Sequence, residues 1–303
     1  MIKGLGVNID THRISGSLSK LEEELSFFQG IGFDYVEIPP AGLDVIMKGK
    51  LIPLRVQKVK DILSKFNFKY TVHAPDVVNL RRLTNPLHKK VFMASIKFAG
   101  MIGAEVVVYH CGKSTDVIDY SEKQQKKAEI KALKEAAVFA AENNLIIGVE
   151  NLPEHHIDEV LEIVDAVNHP NVKMTLDVAH LYIASNYHGW DYLKAIEKAM
   201  PYVVELHVSD TFGSAQELFK DFPDFEGFRL MYGVGDLHLP IGYGEIPFSK
   251  ISKIIAEKGF SGIVILEINN MVKYAEEYKD SYEKMRRYFL KQSFKKVVKN
   301  GEK

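Results

Sequence analysis

The sequence has one cysteine and one tryptophan among its 303 residues, and it has no excess of charge of either sign. A single cysteine, Cys111, excludes an internal disulfide framework and a cysteine-rich zinc module, and it is typical of a reducing cytoplasm. Lys plus Arg number 39 and Asp plus Glu number 40, so overall charge gives no argument for nucleic-acid binding. A local basic cleft remains compatible with that balance.

Long apolar runs and a secretory leader are also missing. No stretch reaches the ~18 consecutive apolar residues of a membrane span. Residues 1–10 carry a single lysine and no apolar core. We therefore expect a cytoplasmic protein with no membrane partner. Because no linker-like segment interrupts the chain, we predict one domain over residues 1–303, with an insertion at 211–235 and a polar tail at 295–303.

Short segments rich in Val, Ile and aromatic residues alternate with longer segments of helical periodicity. Several short segments are apolar throughout, as parallel strands covered by helices are. The predicted strands are Lys3–Ile9, Tyr35–Ile38, Tyr70–His73, Glu105–Tyr109, Ile146–Glu150, Lys173–Asp177, Val203–His207 and Ile263–Glu267. The predicted helices are Ser19–Ile31, Pro86–Ile102, Ser121–Asn143, Ile157–Val167, Asp191–Met200, Phe248–Lys258 and Lys273–Phe294.

Eight strand–helix units in about 300 residues are the number that a (β/α)8 barrel requires. We therefore predict an α/β fold class, with the chain forming a single (β/α)8 TIM barrel. A doubly wound open sheet is the alternative. It is disfavoured because no glycine-rich phosphate-binding turn follows the first predicted strand.

Residue types that bind metals end six successive predicted strands. In a TIM barrel the active site lies at the carboxyl ends of the strands, so these side chains are expected to converge. One such residue alone would be typical of a structural histidine, a turn or a helix cap. Six in succession predict a metal site, because converging carboxylates need a cation to offset their repulsion. The residues are His73, His110, Glu150, Asp177, His207 and Glu267, joined by His180 and by an Asp-x-His pair, Asp236 and His238.

Histidine and carboxylate ligands without a thiolate cluster favour Zn, Mn, Co or Fe(II) over Ca. Cys111 follows His110 directly, and neighbours in a strand face opposite ways, so we interpret it as a packing residue. The other six histidines (His12, His88, His155, His156, His169 and His188) fall in predicted helices or loops, where we interpret them as surface residues.

Six motifs carry the candidate ligands other than Glu267. They are Val72–Leu80 (VHAPDVVNL), Tyr109–Gly112 (YHCG), Val149–Asn151 (VEN), Leu176–His180 (LDVAH), Leu206–Asp210 (LHVSD) and Asp236–Ile246 (DLHLPIGYGEI). As an ordered set they resemble the xylose-isomerase-like TIM-barrel superfamily, over about residues 3–294. That superfamily contains sugar and sugar-phosphate isomerases and epimerases, and also endonuclease IV, the zinc enzyme that cuts DNA at abasic sites. The motifs are specific for the superfamily and weaker at separating its branches.

The endonuclease IV branch, AP endonuclease family 2, uses three zinc ions, and the resemblance implies a ligand in this chain at every position. Such a cluster supplies a hydroxide and stabilises the attacking and leaving oxygens of a phosphodiester. The implied sets are His73, His110 and a bridging Glu150; Glu150, Asp177, His207 and Glu267; and His180, Asp236 and His238.

The isomerase and epimerase branch uses one divalent ion, and the resemblance implies Glu150, Asp177, His207 and Glu267 as its ligands. Glu150 and Glu267 are then the catalytic residues. One removes the proton beside the sugar's carbonyl and the other returns one, with an enediolate between the two steps. His180 would bind substrate in this branch.

Three features favour the sugar branch. The segment 32–38, GFDYVEI, resembles the sugar enzymes. Asp76 stands where the endonuclease branch typically places an aromatic residue, and a carboxylate there repels phosphate. The insertion 211–235 combines Phe and Tyr with acidic residues, which suits a lid over a small molecule or an oligomer contact better than DNA.

Further residues are candidates for substrate binding. Arg81, with Arg82 beside it, follows the third strand and could hold a sugar phosphate, although surface arginines are an equal alternative. Gly242 and Gly244 precede a helix, so their amides could hold a phosphate, or they could form a tight turn. Glu154 could bind substrate hydroxyls or contact a helix N-terminus.

We therefore predict a metal-dependent sugar or sugar-phosphate isomerase or epimerase with one to three ions of Zn, Mn or Co per chain. The alternative is an endonuclease-IV-like zinc phosphodiesterase, for which DNA is the partner. A homo-oligomer is possible. A metal- or sugar-binding protein without turnover is a third possibility, but a pure binder does not need two opposed carboxylate bases.

Overall fold

The structure is a computed structural model that describes residues 2–114, 120–215 and 226–290. The predicted tail at 295–303 lies outside the described residues, and so does the middle of the predicted insertion, 216–225. No described helix combines the length and the apolar composition that crossing a membrane requires.

Eight strands form one closed parallel sheet in the order β1-β10-β9-β8-β7-β6-β5-β2. The predicted (β/α)8 fold class is confirmed, and the doubly wound alternative is wrong. An antiparallel hairpin of β3 and β4 follows β2 and was not predicted. The strands are β1 Gly4–Asn8, β2 Tyr35–Ile38, β3 Ile46–Met47, β4 Lys50–Leu51, β5 Lys69–His73, β6 Val106–His110, β7 Ile146–Glu150, β8 Val172–Asp177, β9 Val203–Val208 and β10 Ile263–Leu266.

Helices follow the strands along the chain. In the described part of the chain they are α1 Thr11–Ile14, α2 Leu18–Ile31, α3 Pro53–Leu63, α4 Leu87–Ile102, α5 Glu122–Glu142, α6 Ile157–Val167, α7 Val178–His188, α8 Tyr192–Ala199, α9 Glu226–Tyr232, α10 Phe248–Lys258 and α11 Ala275–Met285. A π-helical turn, Arg286–Leu290, follows α11.

Four of these helices, α1, α3, α7 and α9, were not predicted, and α3 and α7 are the longer two. The first half of α7 is buried all round, so it shows none of the one-sided apolar periodicity by which a surface helix is recognised. Helix α3 begins with Pro53 at its first position, a normal start signal. Its apolar positions Val56, Val59, Ile62 and Leu63 have helical spacing, so its sequence did carry the signal.

The chain divides into two compact units. The first unit contains residues 7–150 and 158–175. Its strands pair in a register that sets His73 beside Val108 and His110 beside Glu150. Strand residues Val72, Val107 and Val149 are fully buried, as expected where helices cover a parallel sheet.

The second unit contains residues up to Gly6, Asn151–Ile157 and the chain from Leu176 onward. Strands β9 and β10 pair with His207 beside Ile265. Beyond the strands, the amide of Glu267 continues the ladder by donating to the carbonyl of Val208 at 3.0 Å. The register thus brings the carboxyl ends of β9 and β10 level with each other.

Candidate metal centre

In the first unit, His73, His110 and Glu150 meet at the carboxyl ends of β5, β6 and β7. Nε2 of His73 lies 3.3 Å from Oε2 of Glu150, and Nε2 of His110 lies 3.5 Å from the same oxygen. The two imidazole rings pack edge to face with centroids 4.8 Å apart. Both imidazole nitrogens therefore converge on one buried carboxylate oxygen.

The tautomer of His73 is set by its other nitrogen. Nδ1 of His73 lies 2.8 Å from the carbonyl oxygen of Ala74, which can only accept, so Nδ1 carries the hydrogen. The lone pair of Nε2 then points toward the carboxylate of Glu150, unless the ring takes up a second proton at Nε2. Burial lowers the pKa of His73, but the bond to Glu150 and the charges of Glu37 and Asp76 raise it well above its usual value. A cation, whether a proton or a metal ion, is needed between these groups.

In the second unit, Asp236 lies between His180 and His238. Its Oδ2 is 3.0 Å from Nε2 of His180 and 2.7 Å from Nε2 of His238. Nδ1 of His180 donates to the carbonyl of Asn151 at 2.9 Å, and Nδ1 of His238 donates to the carbonyl of Glu267 at 3.2 Å. As at His73, a backbone carbonyl fixes the tautomer and Nε2 faces a carboxylate.

Charges within this second cluster shift two pKa values. Burial raises the pKa of Asp236, but His238 and His180 lower it overall to far below its usual range. Burial lowers the pKa of His238, and the charge of Asp236 then raises it to about 9. Among the described residues, Oδ1 of Asp236 is buried and accepts no hydrogen bond. His238 has a left-handed backbone with φ of 45°, which is uncommon for a residue other than glycine.

Both clusters fit a divalent transition-metal ion. Histidine ligands of metals usually donate their other ring N–H to a carbonyl or carboxylate, and His73, His180 and His238 do so. Tetrahedral zinc with bonds near 2.0–2.1 Å separates its ligand atoms by roughly 3.3 Å. In the second cluster the ligand atoms of His180, Asp236 and His238 lie within 4.8 Å of one another. In the first, Oε2 of Glu150 lies 3.3 Å from Nε2 of His73 and 3.5 Å from Nε2 of His110. The donor set of imidazole and carboxylate suits zinc better than calcium.

His207 and Glu267 form a third pairing, also in the second unit. Nδ1 of His207 lies 3.4 Å from Oε2 of Glu267, and Nε2 of His207 lies 3.4 Å from Oε1 of Glu205. His207 and Glu205 are fully buried, whereas the side chain of Glu267 keeps 8% of its surface exposed. Glu267 is thus the least buried of these three side chains.

Asp177 is both a candidate ligand and a helix cap. Its Oδ1 accepts the amide of His180 at 2.7 Å, at the start of α7. Its backbone is held by Asn151, whose Oδ1 accepts the amide of Asp177 and whose Nδ2 donates to its carbonyl, both at 3.0 Å. Asp177 therefore caps α7, which is a common role of an aspartate at a strand end. It also stands at the strand end where the sequence predicted a metal ligand.

Two residues of this site were not predicted. Glu205 stands two positions before His207 in β9, so the two side chains lie on the same side of the strand. The alternation of side chains along a strand could therefore have identified Glu205 from the sequence. Asn151 follows Glu150 in a quoted motif, but its bonds to Asp177 and His180 join segments distant in the chain. Sequence spacing alone does not reveal them.

Arg81 is buried in an ion-pair network. Its side chain is 1% exposed, and its guanidinium donates to Glu129 at 2.6 Å and to Glu159 at 3.0 Å. The interpretation of Arg81 as a surface residue is therefore wrong. The buried carboxylate of Glu129 and the partly exposed carboxylate of Glu159 already engage the cation, which disfavours a role in holding a phosphate. Arg82, in contrast, is exposed.

At Gly242 and Gly244 the structure shows a turn held by an internal carboxylate, which is the alternative to a phosphate site. The amide of Gly242 donates to Oδ2 of Asp210 at 2.7 Å, and the amide of Ile246 donates to Oδ1 at 3.1 Å. Gly244 also bonds to this carboxylate through its backbone. An internal anion, Asp210, therefore occupies the position predicted for a bound phosphate and holds the loop in place.

Three smaller expectations can be compared with the structure. Glu154, a candidate for substrate binding or a helix contact, is exposed. His155 was interpreted as a surface residue, but it is buried, and its Nδ1 accepts the amide of Leu152 at 3.2 Å.

The predicted insertion is described at its ends, where Phe228 and Tyr232 are exposed. Its other residues at 216–225 are outside the described residues, so the lid stays a prediction.

Comparison with known proteins places these observations in a family context. The family model described as "Xylose isomerase-like TIM barrel" matches residues 26–288. An uncharacterized protein of Methanocaldococcus jannaschii is 22% identical over 73% of this chain and 71% of its own length. A probable endonuclease 4 of Mesoplasma florum is 23% identical over 81% of this chain and 82% of its own length.

Solved structures give the same fold. A D-tagatose 3-epimerase-like protein superposes with a TM-score of 0.73 at 20% identity, covering 97% of this chain and 99% of that one. The IOLI protein, described with a zinc atom, superposes with a TM-score of 0.66 at 21% identity, covering 95% and 99%. At these identities the likeness shows the shared fold, and both branches of the sequence resemblance are represented among the relatives.

Proposed function

Since this chain belongs to the xylose isomerase-like TIM-barrel family, we propose that it is a divalent-metal-dependent isomerase or epimerase of a sugar. The observation that carries this proposal is the pairing of Glu267 with His207 at 3.4 Å. A carboxylate that lies beside a candidate metal-ligand imidazole and remains partly exposed can reach both an ion and a substrate. A general base needs that placement.

We propose Glu150, Asp177, His207 and Glu267 as the ligands of the ion used in the reaction. A divalent ion at this position supplies Lewis-acid polarisation of the sugar's carbonyl and hydroxyl oxygens. Glu150 and Glu267 act as the acid–base pair. One takes the proton from the carbon beside the carbonyl, giving an enediolate, and the other returns a proton to complete isomerisation or epimerisation.

Residues around the ligands support these roles. Asn151 holds the backbone of Asp177 from both sides, and Glu205 faces the far nitrogen of His207. A carboxylate in that position favours the tautomer with the hydrogen on Nε2, which leaves the lone pair of Nδ1 available to a metal ion. Orientation of ligands by such neighbours is a general property of protein metal sites.

An unphosphorylated sugar is the substrate class we favour. Both features predicted to bind phosphate are engaged internally, Arg81 by Glu129 and the amides near Gly242 by Asp210. Asp76 adds a negative charge 3.4 Å from His73, with 70% of its side chain exposed. An exposed carboxylate beside the first cluster disfavours a phosphate by repulsion.

The test is solvent isotope exchange with the metal-loaded protein. Ketohexoses such as tagatose, psicose and fructose are incubated in D2O, and deuterium at the exchanging carbon is measured by NMR. We expect uptake with one of these sugars and its loss in Glu267→Gln, while the exposed control Glu276→Gln exchanges normally. No uptake from any ketose, or uptake that survives Glu267→Gln, contradicts the proposed chemistry.

An endonuclease-IV-like zinc phosphodiesterase is the second candidate. The clusters around Glu150 and Asp236 favour it, because they provide imidazole and carboxylate ligands beyond those of a one-metal sugar enzyme. A nicking assay of the zinc-loaded protein on abasic duplex DNA separates the two. Nicking supports the phosphodiesterase, whereas intact DNA excludes it.

A further inference from the structure

A cavity of about 750 Å³ lies in the first unit along α4, and none of its lining residues is a candidate metal ligand. Hairpin β3–β4, α3 and α5 complete its walls. Its apolar lining includes Leu51, Val56, Met93, Ala94, Met101 and Phe139. That volume and that predominantly apolar lining are typical of small-molecule sites.

The cavity is built by a close approach of two elements. The turn of the β3–β4 hairpin has two residues with positive φ, Lys48 at 48° and Gly49 at 73°. A Cβ at Gly49 would lie 2.7 Å from Cβ of Lys90, so only glycine lets the hairpin approach α4 this closely. The hairpin thus forms a fixed wall beside the helix.

The charged residues that line the cavity are all lysines. Lys50, Lys89, Lys90 and Lys97 line it, and none of its lining residues is acidic. Lys89 forms an ion pair with Glu135, whereas Lys90 and Lys97 lie seven positions apart on the exposed face of α4. In a chain of net charge −1, the cavity therefore combines apolar surface with a local excess of cations.

The lining residues of α4 follow one stripe of the helix. Met93, Lys97 and Met101 follow one another at four-residue spacing and so lie on one stripe of α4. From Lys90 to Met101 the helix rises about 16 Å at 1.5 Å per residue. An acyl chain laid along this stripe buries its methylenes against the methionines, and Lys90 and Lys97 can pair with its anionic end.

We propose that this cavity, lined by Met93, Ala94 and Met101 and rimmed by Lys50, Lys90 and Lys97, binds a long-chain carboxylate. The apolar lining receives the alkyl chain and the ammonium groups pair with the carboxylate. This site is independent of the proposed sugar chemistry, so either can fail without the other.

Isothermal titration calorimetry of the full chain with dodecanoate, at concentrations below the critical micelle concentration, tests the proposal. We expect saturable binding of one molecule per chain, weakened about ten-fold or more when Lys90→Glu and Lys97→Glu remove the charge complementarity. The matched control reverses two exposed lysines of α10, Lys253→Glu and Lys258→Glu, and retains wild-type affinity. Dodecyltrimethylammonium, with the same tail and the opposite charge, binds more weakly than dodecanoate.

A second measurement locates the ligand in the wild-type protein, so it needs no substitution that could destabilise the fold. In protein labelled with ¹³C at the methionine methyl groups, dodecanoate shifts the signals of Met93 and Met101 and leaves that of the buried Met174 unchanged. Non-saturable binding, equal affinity in the two charge-reversed pairs, or shifts that bypass Met93 and Met101 overturn the proposal. An acidic amphipathic peptide that binds here and is not displaced by dodecanoate also overturns it, because the occupant is then a protein partner.

Discussion

Nε of Arg81 lies 2.6 Å from Oε2 of Glu129, and both side chains are buried. Oε1 of Glu129 accepts the amide of Gly112 at 2.6 Å and the hydroxyl of Tyr109 at 3.0 Å. His110 lies between Tyr109 and Gly112 in the chain. The ion pair therefore connects the loop after β5 to the segment that carries the metal-ligand candidate His110.

Arg81→Met is expected to destabilise the protein by about 3 kcal/mol, because it leaves the carboxylate of Glu129 buried without its cation. Urea unfolding of the metal-free protein measures this loss. The matched control is Arg13→Met, which breaks another arginine–glutamate pair, with Glu24 at 2.6 Å, where the arginine is 13% exposed. A smaller loss is expected there, because Glu24 can regain some solvent. Equal losses in both variants would contradict this account of Arg81.

Each histidine–carboxylate cluster is expected to bind its own zinc ion. His73→Ala should weaken the first site, and His238→Ala the second, by more than about a hundred-fold, since changes outside the ligand shell alone cost 10–100-fold. Competition with a chromogenic zinc chelator measures both affinities. His12→Ala, at an exposed histidine, serves as the control. Should either ligand variant bind as many zinc ions as the wild type, with the same affinities, that cluster is not a metal site.

Gly244→Ala is expected to destabilise the loop held by Asp210. A Cβ at Gly244 would lie 2.4 Å from the carbonyl oxygen of Thr211 and 2.5 Å from Oδ1 of Asp210, so the backbone must move. We expect a loss of about 2 kcal/mol, within the usual range for strain of this kind. At Gly30, inside α2, a Cβ meets nothing within 4 Å.

Gly30→Ala is therefore the control for this prediction. It should be neutral or stabilising by about 0.5–1 kcal/mol, because alanine favours a helix interior more than glycine does. Thermal unfolding of both variants gives the comparison. A Gly244→Ala protein that melts with the wild type would show that the loop adapts at no cost.

Cys111 is expected to resist alkylation in the native protein. It is 1% exposed, and burial together with the charge of Glu129 raises the pKa of its thiol well above the usual value. At pH 8 the reactive thiolate is then scarce as well as inaccessible. Iodoacetamide labelling, followed by intact mass, should give no adduct in buffer and one adduct in denaturant. Rapid native labelling would place Cys111 in a more open environment than described.

Much of the fold could be predicted because its signal is local. Runs such as Val106-Val107-Val108 are apolar throughout, and a parallel strand covered by helices needs that composition. The first half of α7 is buried on every side, so its periodicity was lost and the helix was missed. A helix that is buried on all sides is apolar on all sides, so it lacks the one-sided apolar periodicity by which a helix is predicted from sequence.

The site could be predicted only as a set of residue types. His73, His110 and Glu150 end successive strands, and the parallel register brings them together. Arg81 and Gly242 were candidates for phosphate binding, with a surface arginine and a tight turn as equal alternatives, and in the structure both face internal carboxylates. Their partners, Glu129 and Asp210, lie 48 and 32 residues away in the chain, and no local pattern indicates them.

The sequence by itself determined the alternation of strands and helices and the residues at the strand ends, because strand and helix periodicity and metal-ligand chemistry depend on the residues themselves. Only the tertiary structure decided which charged groups face a ligand and which face each other. A buried charge must find its counter-charge inside the fold, and that pairing depends on packing between segments that are distant in the chain.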